Sequence, residues 1–95
     1  MINDAVIENS KYIKKLNPGR IHELKTWPEY FEGIITNVKK FEYRLNDRDY
    51  QVGDILHLRE YLKETGTYSG REIMVFVTYI LKTENNYVIM SIKRI

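Results

Sequence analysis

The sequence predicts a small α+β fold, mainly β: a five-stranded β-barrel with one helix beside a cleft, preceded by an N-terminal arm or helix. Three observations carry this. Five stretches alternate with period two or are rich in β-branched and aromatic residues, and short runs of Asn, Asp and Gly punctuate the chain around them. One internal window instead repeats its apolar residues at helical spacing. The 95 residues, 43% of them hydrophobic, suffice for one core and are too few for two. Closure into a barrel removes the open edges that so short a sheet otherwise presents to other chains. An open five-strand sheet with the helix across one face is the alternative.

Taken in order, Met1 to Leu16 places Ile2, Ala5, Val6, Tyr12, Ile13 and Leu16 on a loose helical stripe that Asn3 or Asp4 can cap and that Asn17-Pro18-Gly19 stops. Residues 1–19 are expected to form a docking helix or arm with Lys11, Lys14 and Lys15 solvated, and residues 20–95 the domain proper. Ile21 to Thr26 reads as a short strand. Trp27-Pro28-Glu29 then starts a helix, with proline at its first position and a carboxylate near its positive end. Phe31, Ile34, Ile35 and Val38 supply its apolar stripe, Gly33 weakens it by about 1 kcal/mol relative to alanine, and Asn37 suits a left-handed end.

Lys40 to Leu45 switches to period two, with Phe41, Tyr43 and Leu45 expected inward and Lys40, Glu42 and Arg44 on a wet face. Asn46-Asp47-Arg48-Asp49 and Gly53-Asp54 bracket a loop. A strand from Ile55 to about Tyr61 turns Leu56 and Leu58 inward and ends at Lys63-Glu64-Thr65-Gly66, with Ser69-Gly70 just beyond, a region read as a surface hairpin or lid. Arg71 to Lys82 is apolar on both faces, with Ile73, Val75, Val77 and Tyr79 opposed to Met74, Phe76 and Ile80, and belongs at the centre of the sheet. Thr83-Glu84-Asn85-Asn86 turns the chain into a last strand, Tyr87 to Ile95.

Composition narrows the chemistry. With no cysteine, disulfides, thiolate nucleophiles and zinc-finger sites are excluded together. No stretch approaches the roughly 18 apolar residues of a membrane helix, and the N-terminus lacks the pattern of a secretion signal, so a soluble, cytoplasmic chain without a membrane partner is expected. The net charge of +2 comes from residues 1–20, with four basic against two acidic side chains; residues 21–95 carry 11 of each. A neutral body does not coat nucleic acid through its overall field, which leaves a local patch. His22 and His57 are too few and too isolated for a metal site, and no cofactor is expected.

The informative constellation is Glu42 and Arg44, about 7 Å apart on one face of their strand. His22 and Lys25 precede the helix and Asp47, Arg48 and Asp54 follow in the loop, so donors and acceptors from three segments are placed to converge at one mouth. Trp27, Phe41 and Tyr43 are candidates for stacking on a base, although Phe41 and Tyr43 share the apolar face and are expected in the core. His57 is expected outward and solvated, and Arg59 and Glu60 in solvent or at a rim.

The runs His22-Glu23-Leu24-Lys25, Tyr30-Phe31, Lys39-Lys40-Phe41-Glu42-Tyr43-Arg44, Asn46-Asp47-Arg48-Asp49 and Val52-Gly53-Asp54-Ile55-Leu56 resemble the ASCH domains of the PUA-like superfamily, in particular the short versions found in phages and bacteria. The resemblance spans roughly residues 21–95, and its most specific part is the Gly-Lys-Lys/Thr-x-Glu-x-Arg pattern, met here from Lys39 to Arg44 without its glycine, followed by Gly-Asp before a strand. It implies a PUA-like barrel with a helix beside a cleft, His22 at the cleft mouth, and RNA, a nucleotide or a modified nucleoside as ligand. Thr36-Asn37-Val38 stands where relatives have glycine before the lysine pair. Some ASCH relatives are amidohydrolases on acylated cytidine that use a lysine and a threonine three residues later; here that spacing joins Lys39 to Glu42, which cannot replace a hydroxyl nucleophile.

The leading expectation is therefore a binding module for RNA or a nucleotide, using His22, Lys25, Lys39, Glu42, Arg44, Asp47 and Arg48, with Arg44 removable at little cost in stability. The alternatives are an enzyme on modified nucleosides, with Lys39 or Lys25 as base and Glu42 or Glu72 working on water, and a protein-interaction module using the N-terminal arm. Oligomeric state is not legible in the sequence.

Overall fold

The computed structural model describes residues 19–95, and the expected helix or arm over Met1 to Leu16 lies outside them. The described residues form strands β1 (Ile21–Thr26), β2 (Phe41–Leu45), β3 (Ile55–Leu62), β4 (Thr67–Lys82) and β5 (Tyr87–Arg94), and one helix, α1 (Pro28–Ile35). The strands make one sheet in the order β1-β3-β4-β5-β2, with β1 parallel to β3 and the other neighbours antiparallel. β4 is central, as its two apolar faces predict, and the sheet curls into a half-barrel around Leu24, Ile34, Leu56, Leu58, Val75, Val77, Val88 and Met90.

The two edges, β1 and β2, are joined by side chains. Arg44 Nη1 donates to the carbonyl of Lys25 at 3.0 Å and Arg48 Nη1 to that of Glu23 at 3.1 Å, both carbonyls on the edge of β1 turned away from β3. Two guanidinium groups thus bridge a seam where a closed barrel has a ladder of backbone hydrogen bonds.

The helix is shorter than its apolar stripe suggests. Thr36 returns its hydroxyl to Glu32 O at 2.8 Å, Asn37 takes the left-handed conformation at φ 63°, and Val38, expected on the stripe, is 80% exposed beyond the helix end. Lys39 passes close to Gly33, where a Cβ would stand 3.0 Å from Lys39 Cβ, so the glycine that weakens the helix makes room for the turn that follows it.

Two irregularities in β4 account for further departures from simple alternation. Ser69-Gly70, expected in a loop, lies inside β4 at a register shift opposite Glu60, with Gly70 at φ 100°. A bulge between Val77 and Tyr79 reverses the parity of the strand, so Tyr79 is 64% exposed while Ile80 packs on the core.

The sharpest correction concerns β2. Its apolar side chains point outward: Phe41 is 46%, Tyr43 56% and Leu45 43% exposed, whereas Glu42 is buried and Arg44 half-buried. The register explains the inversion. Glu42 pairs with Met90 and Arg44 with Val88, both core residues, and cross-strand partners share a face.

Candidate functional site

The inverted β2 places charge on the inner wall of the half-barrel, beside the end of β1 and the start of α1. A buried carboxylate is tolerated only if its oxygens are bonded. Glu42 Oε2 accepts from Lys39 Nζ at 2.6 Å and Oε1 from Arg44 Nε at 2.9 Å. Arg44 continues to the hydroxyl of Thr26 at 3.2 Å, and Thr26 is itself buried. Lys39, Glu42, Arg44 and Thr26 therefore form one continuous polar floor.

Above it opens a cleft of about 350 Å³, lined also by Lys25, Trp27, Tyr30, Phe41 and Tyr43. Trp27 reaches it because Pro28 starts α1 immediately after β1, which sets the ring at the junction of strand and helix. Lys39 reaches it through the close passage over Gly33, and its ammonium lies 4.8 Å from the centre of the Phe41 ring.

Four of the seven predicted residues, Lys25, Lys39, Glu42 and Arg44, thus meet at the cleft. Asp47 and Arg48 line an adjoining groove that shares Lys25 and Arg44 with it. His22 does not belong to the site. It is buried about 10 Å back along β1, where its Nε2 lies 2.8 Å from Asp54 Oδ2 and its ring stands edge-on to Tyr50. Asp54, at the end of the Gly-Asp pair, also accepts from the backbone N–H of Gln51 at 2.9 Å and of Arg20 at 3.2 Å, so this motif organises the loop before β3. Burial pushes the neighbouring Tyr50 hydroxyl above its ordinary value, against the lowering influence of Arg44 and Arg48.

Thr26 and Tyr30 are not among the site residues the sequence predicts, and Glu60 is expected in solvent or at a rim. The parity Leu56, Leu58, Glu60 pointed inward all along. Glu60 is buried and accepts from Arg71 Nη2 at 2.8 Å, Arg71 Nε at 3.0 Å and Ser69 Oγ at 2.6 Å. These bonds, Arg71 foremost, hold its carboxyl down at about 2. His57 faces outward as expected but is paired, with Nε2 at 2.8 Å from Glu72, and neither residue is near the cleft.

A second feature leads away from the cleft along the outside. Trp27, Tyr61 and Tyr68 follow one another with ring centres 6.0 and 5.2 Å apart, and each carries a cation: Lys63 at 4.7 Å, Lys25 at 4.5 Å and Arg59 at 3.8 Å respectively. Among the described residues no cluster of His, Asp or Glu could hold a metal ion, and no helix is long and apolar enough to cross a membrane.

Fold and site together define a small half-barrel module with an aromatic-walled cleft over an ion-paired floor. Residues 21–92 match the family described as a domain of unknown function, DUF3850, and the chain belongs to that family. It is also 36% identical over 59 residues to an uncharacterized 12.9 kDa protein in GpA 3'region of Escherichia phage P2, an alignment covering 62% of this chain and 52% of the phage protein. The match therefore spans about half the length of that relative.

Proposed function

We propose that the cleft receives a base of a single-stranded RNA, the ligand class to which the resemblance to ASCH domains also leads. The observation that carries the reading is the union of aromatic walls with a bonded polar floor in one cleft of about 350 Å³, within the size range of small-ligand pockets. A nucleobase offers a flat face to rings such as Trp27 and Tyr30 and a donor and acceptor edge to the floor. Each Glu42 oxygen retains a lone pair after bonding Lys39 or Arg44, and suits a base amino group. The ladder Trp27, Tyr61 and Tyr68, with its interleaved cations, favours a strand over a free nucleoside, because neighbouring bases find rings and phosphates find Lys25 and Lys63.

Trp27 is the chain's one tryptophan, so its fluorescence reports on the cleft directly. A short single-stranded RNA is expected to change it saturably, and Lys39→Ala to weaken binding about tenfold, or about 1.4 kcal/mol. A flat titration at high RNA concentration overturns the reading.

A second reading, hydrolysis of an acylated nucleoside, is favoured by one observation: a buried hydroxyl, Thr26, stands in the same cleft as Lys39 and Glu42. Incubation with acylated cytidines separates the two. Turnover lost in Thr26→Val supports hydrolysis, and no product at high protein concentration removes it.

A further inference from the structure

The convex face of β2, β5 and β4 is apolar and open, and the alternation of the strands cannot avoid this once Glu42 and Arg44 turn inward. Successive cross-strand rows run Phe41-Ser91-Tyr79 and Tyr43-Ile89-Leu81, with Leu45 beside Tyr87 in the next. Tyr79 is 64% and Leu81 52% exposed, and Tyr43 stacks on Tyr87 with ring centres 5.0 Å apart. With roughly half of each large side chain uncovered, the face presents on the order of 500 Å² of apolar surface, at the upper end of what monomers leave open.

The geometry points to a second copy of this chain as the occupant, packed face to face about a two-fold axis. Charge is the first argument. These rows contain no Lys, Arg, Asp or Glu, so a two-fold contact, which sets residues near the axis against themselves, buries no like charges within them. A nucleic acid or an anionic membrane would require a cluster of cations across the face, whereas cations stand only at its margin, Lys39 beside Phe41 and Lys93 opposite Phe76. Shape is the second. Ser91 lies between Phe41 and Tyr79 in its row, a small residue between two large ones, which leaves a hollow for an apolar side chain of the other copy. Area is the third: the patch alone supplies more than half of the roughly 800 Å² per partner of stable interfaces, and two such sheets stack about 10 Å apart as in a sandwich. The ion-paired floor of the cleft lies on the opposite face of β2, while Phe41 and Tyr43 both line the cleft and belong to the convex face, so a dimer through that face would flank the two clefts without covering their floors.

Sedimentation equilibrium of the full chain over about a hundredfold range of concentration tests this, because mass action makes a dimer concentration-dependent. A doubling of mass at the upper end is expected, abolished separately by Leu81→Lys and by Tyr79→Lys, both outward and outside the cleft, with the circular dichroism spectrum unchanged as the check on folding. A single monomer mass at every concentration overturns the proposal; if Leu81→Lys then lowers the melting temperature, another part of the same chain covers the face. A dimer that survives both substitutions also overturns it.

Discussion

Glu60 and Arg71 show how one ion pair becomes a pH dependence. The carboxyl of Glu60 titrates at about 2 in the folded chain instead of its ordinary 4.5, because Arg71 and Ser69 donate to it. The unfolded chain therefore binds the proton first on acidification. The stabilisation is fully present above about pH 4.5 and is lost as the pH falls toward about 2. Melting temperatures across this interval are expected to fall more steeply in the wild type than in Glu60→Gln, which lacks the titrating group and starts from a lower value at neutral pH. Equal slopes exclude Glu60 as a contributor. Arg44 carries a different lesson. Three of its five N–H donors are already engaged, by Glu42, Lys25 and Thr26, so it holds the cleft in shape and keeps two donors for a ligand. Contrary to the expectation from sequence, Arg44→Ala should cost about 2–3 kcal/mol in a denaturant titration, since it removes a partner of a buried carboxylate and one of the two bridges across the seam.

The elements carry their functions through local departures from regularity. In α1, Gly33 is poor for the helix and necessary for Lys39, and Gly33→Ala sets these against each other. A gain of up to about 1 kcal/mol in helix propensity is offset by crowding at Lys39 Cβ, so stability should change little while RNA affinity falls. Comparing melting temperature with the Trp27 titration separates the two effects. In β4, Gly70 takes φ 100° at the register shift that brings Ser69 and Arg71 onto Glu60. Gly70→Val is expected to destabilise by about 1–3 kcal/mol through backbone strain, and to erase part of the acid dependence of Glu60, which the same pH series measures.

For the molecule as a whole, the neutral body limits how it holds a polyanion. With Lys25 and Lys63 as the phosphate contacts, log K against log salt should have a slope of about −1.4, shallow beside that of a protein that coats nucleic acid. A slope several times steeper places the binding elsewhere, with the basic residues 11, 14, 15 and 20 of the N-terminal stretch as the obvious source. The curl of the sheet decides the rest. It brings β1 and β2 close enough for Arg44 and Arg48 to bridge them, and so makes one cleft out of residues up to 19 positions apart in the chain.

Strand and helix positions were legible from periodicity and turn residues, because each depends on a few neighbours along the chain. Glu42 and Arg44 were likewise legible as a pair, since residues two apart on a strand share a face, whereas Lys25 was placed with them by the convergence of three segments and Lys39 by the family resemblance. Which face was inner was not. For β2 the apolar pattern Phe41, Tyr43, Leu45 argues for burial of the rings, and only pairing with Met90 and Val88 of β5 reverses it. The same holds for His22, drawn away by Asp54, and for Tyr79, turned outward by a bulge. Period and turn chemistry are local energies written residue by residue. The choice between the two faces of an edge strand depends on partners tens of residues away, and only the assembled sheet supplies them.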